Sequence, residues 1–247
     1  MKRALLVSFI RFPLLIAALL LLAGAFRIGG LEIVFPFMPD ASVIYFTAAN
    51  IVCFLLMGAI LRREGRTFRD IVGFRRERLG KDVLFGLLWL FVLYIPFFAV
   101  VNGMMFLLFG ADYFMQFQSV FVGAGTEFPE RPAALMGFAA ALSLLFPFLN
   151  APVEEIMYRG YAQPMLMQKT NRLWIAVLIP SAGFALQHVL LAGTWQGALV
   201  FAAAFFVWGI GSGVIYHLQK RLFPLIVCHF LVNLAFSAIP ILFLLQG

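Results

Sequence analysis

Charge is scarce in this chain. Only 12% of its 247 residues are Asp, Glu, Lys or Arg, about half the share found in soluble domains. With 64% hydrophobic residues and a mean hydropathy of +1.00, that deficit excludes a water-soluble domain. Cysteine is nearly missing. Cys53 and Cys228 both lie in apolar stretches, which excludes a disulfide framework or a cysteine zinc site and leaves two buried thiols. Ten-residue segments of alternating polarity are missing too, so a membrane β-barrel is excluded. There is no sequence repeat, and no extramembrane stretch is long enough for a second domain. What remains is one all-α integral membrane domain over residues 1–247. It is a polytopic transmembrane bundle of about seven to eight helices, each spanning about 20 residues.

The apolar runs cover about 4–26, 41–61, 83–109, 133–168, 173–192, 196–218 and 223–245. The first follows Lys2 and Arg3 and resembles a secretory signal, with Ala23-Gly24-Ala25 as a cleavage-like triplet. Its length, and the spans after it, predict a retained first helix. The run 133–168 would be about 54 Å long as one helix, far beyond a hydrocarbon core of about 30 Å. Pro147 and Pro152 are therefore expected to break or kink it, with Pro152 in the first turn of a new helix and the following carboxylates at that helix's favourable N-terminus. If the broken segment crosses once, fifteen of the eighteen Lys and Arg residues, Arg11 included, fall on one side. Arg27 and Arg131 fall on the other, and Arg159 lies inside. The positive-inside rule then makes the N-terminus cytoplasmic and the C-terminus external.

The +7 net charge is thus assigned to orientation, and nucleic acid is not an expected partner. The basic loop 62–81 is read as a topology determinant beside anionic headgroups. Asp112 to Arg131 reads as a mostly acidic loop, with Gly123, Gly125, Pro129 and Pro132 as breakers. Gly209-x-x-x-Gly213 is read as a close helix contact inside the bundle. His217, near Lys220 and Arg221, is read as interfacial, and Trp89, Trp174 and Trp195 as interface anchors or packing.

One stretch does not fit an inert bundle: Glu154-Glu155-x-x-x-Arg159 inside an apolar run. Even lenient insertion scales charge about 2.5–3.5 kcal/mol for a central ionised residue, so such groups need partners and are usually functional. Glu155 and Arg159 are i,i+4 and can pair. Glu154 points about 100° away and faces something else. His188 lies in another apolar segment, and His229 and Asn233 are i,i+4 on the last one. Counted from the nearest cytoplasmic basic residue, Glu154 lies about 22 Å deep, His188 about 24 Å, Asn233 about 18 Å and His229 about 12 Å. Four groups on three segments can thus converge on one cavity. Two chemistries stay open: a metal-free site, which is favoured, and a zinc site with Glu154, His188 and His229 as ligands. The zinc site lacks the His-Glu-x-x-His helix.

Glu154-Glu155-x-x-x-Arg159, Phe184-x-x-x-His188 and His229-x-x-x-Asn233, in this order and all in apolar segments, resemble the three motifs of the CAAX protease and bacteriocin-processing (CPBP, or Abi) family of intramembrane proteases. That family includes the Rce1-type prenyl-protein endopeptidases. The resemblance covers about 133–245, and the first 130 residues share only their hydrophobicity with it. It implies a bacterial plasma-membrane endopeptidase that cuts a membrane-bound peptide or protein, of prenylated (CAAX-like) or bacteriocin type. It implies Glu154 as general base, His188 beside the water, His229 and Asn233 as oxyanion donors, and Glu155 with Arg159 as support. The rival readings are a non-catalytic scaffold or bacteriocin-immunity protein of the same fold, and a proton-coupled transporter, which the missing inverted repeat disfavours.

Overall fold

The computed structural model describes residues 1–123 and 129–246, with side chains placed for 1–121 and 129–237. No strand occurs among the described residues. The expected loop at Asp112–Arg131 is largely helical where it is described, with a 3-10 segment at Gly110–Gln116 and a π-helical one at Ser119–Gly123, and the description resumes at Pro129. Its centre, with Gly125, lies outside the described residues.

The first apolar run forms α1 (Lys2–Phe9) and α2 (Arg11–Ile28), divided at Ile10. Pro13 has no N–H to give to the Phe9 carbonyl, so the helical ladder lapses at that point. Ala4, Val7, Ser8, Arg11 and Leu15 are all fully buried. Their spacing is a single helical stripe, so Arg11 points inward with the apolar residues. It is therefore not a surface cation, and the count on the basic side falls from fifteen to fourteen.

Next come α3 (Ser42–Arg63), the short α4 (Phe68–Val72) and α5 (Leu79–Phe109). The run from 133 onward differs from expectation. Helix α6 (Ala133–Glu155) passes through both Pro147 and Pro152 without ending. The irregularity follows the carboxylates instead, as a π-helical segment at Ile156–Ala162, before α7 (Gln163–Thr170). Helices tolerate proline where neighbouring groups satisfy the freed carbonyls. Wide π turns occur often at functional sites. Glu154 and Glu155 therefore sit inside a continuous rod, and no helix N-terminus is there to stabilise them. Helices α8 (Leu173–His188), α9 (Trp195–Gln219) and α10 (Phe223–Gln246) complete the chain. Among the described residues, six rods are long and apolar enough to cross a membrane, and α10 is a further apolar helix.

Helix α6 packs on α10 and α3, α8 on α9, and α5 on both α9 and α10. One core joins Val7 of α1, Met57 of α3, Leu93 of α5, Val153 of α6, Phe184 of α8, Trp208 of α9 and Cys228 of α10. Ion pairs close the two ends. Arg3 meets Glu64 at 3.2 Å, and Arg221 meets Asp82 at 2.5 Å, at the basic end. Arg131 meets Asp40 at 2.7 Å at the other.

Two helix contacts depend on glycine. Gly183 of α8 lies so close to the Ser8 carbonyl of α1 that a Cβ would overlap it. Gly209 and Gly213 of α9 face inward, against Ser181 and Val177 of α8. Close approach brings two backbone carbonyls to the segment after Glu155. Gly209 O accepts from Arg159 Nη2 at 3.5 Å, and Gly213 O accepts from Gln163 Nε2 at 2.7 Å. A Cβ on Gly209 would sit 2.8 Å from Ser181 Cβ. Gly209→Ala should therefore cost about 1–3 kcal/mol through overpacking. Gly24→Ala, where a Cβ meets nothing within 4 Å, should leave the melting temperature in detergent unchanged.

Candidate active site

Consecutive residues on a helix diverge by about 100°, so the two carboxylates turn to different partners. Each is 1% exposed. Glu155 Oε1 meets Arg159 Nη1 at 3.2 Å and His229 Nδ1 at 3.0 Å. The Arg159 guanidinium also lies 4.5 Å from the Phe184 ring centre, a cation–π contact.

Glu154 Oε1 pairs with Arg11 Nη2 at 2.8 Å. Arg11 is held from two further directions. Nη1 donates to Asn50 Oδ1 of α3, and Nη2 donates to Asn150 Oδ1 of α6 at 2.7 Å. Asn50 Nδ2 closes the triangle on Asn150 Oδ1 at 3.0 Å. Asn150 stands one turn before Glu154, so a single face of α6 carries both the charge and part of its counter-network. A buried charge left without a partner would be severely destabilising. Here two guanidiniums answer two carboxylates. The second oxygens of both carboxylates, Glu154 Oε2 and Glu155 Oε2, have no hydrogen-bond partner among the described residues.

His229 lies between the carboxylates. Its Nδ1 faces Glu155 and its Nε2 stands 3.6 Å from Glu154 Oε2, beyond a direct hydrogen bond. His188 Nδ1 is 2.6 Å from the Phe184 carbonyl. A carbonyl only accepts, so Nδ1 carries the proton and a neutral ring keeps its Nε2 lone pair. The ring stacks on Phe205 at 3.7 Å between centres. Phe184 touches both imidazoles, at 4.5 Å from His188 and 6.0 Å from His229. Asn233, one turn beyond His229, has an Nδ2 without a partner among the described residues. His188, His229 and Asn233 keep 5–7% exposure, against 1% for the two carboxylates. His217 stays at the α9 end with Lys220, 3.2 Å away.

The structure thus gathers Glu154, Glu155, Arg159 and His229 by direct contact, and His188 through Phe184. Arg11, Asn50 and Asn150 join them without having been singled out in the sequence. The signal was available: Arg11 lies about 12 Å along the helix from Arg3, too deep for a surface residue, and Asn50 and Asn150 interrupt apolar runs. No group of three His, Cys, Asp or Glu among the described residues is arranged to hold a metal ion.

Residues 136–235 match the family described as type II CAAX prenyl endopeptidase Rce1-like. Searches of curated proteins and of solved structures gave no match. The matched stretch holds Glu154 through Asn233 but neither Arg11 nor Asn50. Breaking the new pair alone, by Arg11→Met, should cost about 3–5 kcal/mol. Arg11→Met with Glu154→Gln should cost less than the sum of the single changes, because no bare charge stays buried. Unfolding of the four proteins in detergent measures that coupling.

Proposed function

We propose that this chain, carrying an Rce1-like domain at residues 136–235, is a CAAX-type intramembrane endopeptidase whose general base is Glu154. The observation that supports the base most is the asymmetry of its carboxylate. Arg11 neutralises Oε1, while Oε2 is buried, unpartnered and 3.6 Å from His229 Nε2. Glu155 Oε2 is likewise buried without a hydrogen-bond partner among the described residues, so what sets Glu154 apart is the imidazole Nε2 facing its open oxygen. A general base needs an oxygen within reach of the proton it takes.

In this mechanism a water between Glu154 Oε2 and His188 Nε2 gives its proton to Oε2 as its oxygen attacks the scissile carbonyl carbon. The carbonyl π electrons move onto oxygen. His229 enters this step as an imidazolium, with Nδ1–H held by the Glu155 carboxylate, and its Nε2–H and Asn233 Nδ2–H donate to that oxyanion. The tetrahedral centre then collapses, the C–N bond breaks, and the proton on Glu154 passes to the leaving amine. Glu155 and Arg159 fix His229 and the π turn, and Arg11 fixes Glu154. The substrate is a membrane-associated peptide or protein, of prenylated or bacteriocin-precursor type, entering from the His188–Asn233 side. The basic end of the bundle, with the N-terminus, is assigned to the cytoplasm of a bacterial plasma membrane.

The site is read as metal-free. Glu154 already has a cation at 2.8 Å, and a dication on the same carboxylate would meet Arg11 at close range. Should zinc bind, Glu154, His188 and His229 are the ligands it would use.

The test is cleavage of prenylated and plain fluorogenic peptides by the detergent-purified protein. Glu154→Gln should lower kcat by about 10²–10⁴-fold, Asn233→Ala by about 10²–10³-fold, and Arg11→Gln by about 10²-fold with KM unchanged. A strong chelator should change nothing. Activity lost with chelator and restored by zinc would replace the base with a metal. A natural partner bound equally by wild type and Glu154→Gln, and left uncut by both, would make the protein a scaffold.

A further inference from the structure

The basic end of the bundle carries more than scattered charge. The chain from Arg66 to Arg78, the π turn with α7, and the α9–α10 turn line a half-open cavity of about 370 Å3. These are three segments far apart in sequence. Arg66, Arg75, Arg78, Lys220 and Arg221 line it, with Asp70 as the one acidic side chain.

The charges there are unequally spent. Arg221 is cancelled by Asp82, with both guanidinium nitrogens 2.5 Å from the carboxylate. The Asp70 carboxylate is taken up by the Thr67 cap, at 2.7 Å from the backbone N and 2.8 Å from Oγ1. Arg66, Arg75 and Arg78 have no carboxylate within 4.0 Å among the described residues, and Lys220 has only His217 beside it. Four cations without a carboxylate partner among the described residues therefore line one half-open cavity. The positive-inside rule asks for cations on this side of the membrane. It does not ask them to share a cavity.

The wall is built rather than incidental. Gly160 forms part of it, and a Cβ there would run into Ile71 and come within 3.0 Å of Leu222 Cδ2. Phe74 and Leu79, next in sequence to the lining residues Gly73, Arg75 and Arg78, are exposed at 43% and 42%.

We propose that this cavity is a binding site for a phosphate-bearing anion, of the class presented by anionic phospholipid headgroups or by free phosphate esters. Arg66, Arg75 and Arg78 supply the donors, since guanidinium forks match phosphate oxygens, and Lys220 supplies a point charge. Binding there is independent of peptide hydrolysis, and it holds or fails whether or not Glu154 is a catalytic base.

The test uses the full chain in detergent, with phosphatidylglycerol and phosphatidylcholine as probes and native mass spectrometry as the readout. The double variant Arg75→Gln/Arg78→Gln removes two cavity charges. Arg62→Gln/Arg63→Gln removes two from the same end that do not line it. Wild type should prefer phosphatidylglycerol. The cavity variant should bind it about 25-fold more weakly, about fivefold per residue, at an unchanged melting temperature, and the control should stay within about twofold of wild type. Equal weakening in both variants would show a diffuse basic surface and overturn the site, as would no preference in wild type or no loss in the cavity variant. Competition by inorganic phosphate separates the sources. Displacement assigns recognition to the phosphate alone, and persistence assigns it to a headgroup held with its acyl chains.

Discussion

Two carboxylates buried side by side in an apolar bundle are the constraint on which the rest of this structure depends. Neither can be ionised there without a cation at hand, because desolvation outweighs anything that packing alone returns. Arg159 is local, one turn along the same rod. Arg11 comes from the far end of the chain and reaches Glu154 only because α1 and α2 are packed into the core. That packing in turn uses the close α1–α8 contact at Gly183 and the stripe of fully buried residues from Ala4 to Leu15. The N-terminal helices thus contribute charge balance to the site as well as membrane crossings. The matched stretch, 136–235, would by itself leave Glu154 without its counter-ion.

The glycines of α9 work on the other cation. A guanidinium has five donors, and a carboxylate satisfies two or three. Gly209 lets a backbone carbonyl come near enough to Arg159 to take another, and the Phe184 face covers part of the remaining charge. The Glu155–Arg159–His229 chain therefore links α6, α9 and α10 into one polar unit. Polar networks of this kind rigidify what they touch when most members are satisfied. That is what a site needs if its reacting atoms are to be held within a fraction of an ångström.

Much of this could be read from residues alone, and the limits have physical causes. The all-α class follows from long unalternating apolar runs. The Glu155–Arg159 contact follows from i,i+4 spacing, and the inward face of Gly209 and Gly213 from their lack of side chains. Pro152 misled because proline's local effect is known while its repair by neighbours is a tertiary matter. The helix continued, and the distortion moved to 156–162, where the sequence carries no such marker. Arg11 misled because orientation rules count cations near a terminus without asking which face of the helix they occupy. The buried stripe answers that, but it becomes visible only once α8 and the π turn lie against it. Asn50 and Asn150 are unremarkable singly and become a network only by meeting across α3 and α6.

Glu154 and Glu155 are neighbours in sequence, equally buried, yet electrically different. Glu155 Oε1 is shared by an arginine and an imidazole, which ties it to two other helices and leaves it little freedom. Glu154 has an arginine on one oxygen and the His229 Nε2 edge 3.6 Å from the other. The second oxygen of Glu155 is instead buried without a hydrogen-bond partner among the described residues. Paired titratable groups pushed into different environments are how one site separates a supporting carboxylate from a reacting one. Here the separation needs no difference in residue type or depth. It follows from a 100° rotation along α6 and from which helix happens to lie on each side: α10 and α9 around Glu155, α2 and α3 around Glu154. In the proposed mechanism, the imidazole of His229 spans the two, anchored on the fixed carboxylate and presented to the reactive one.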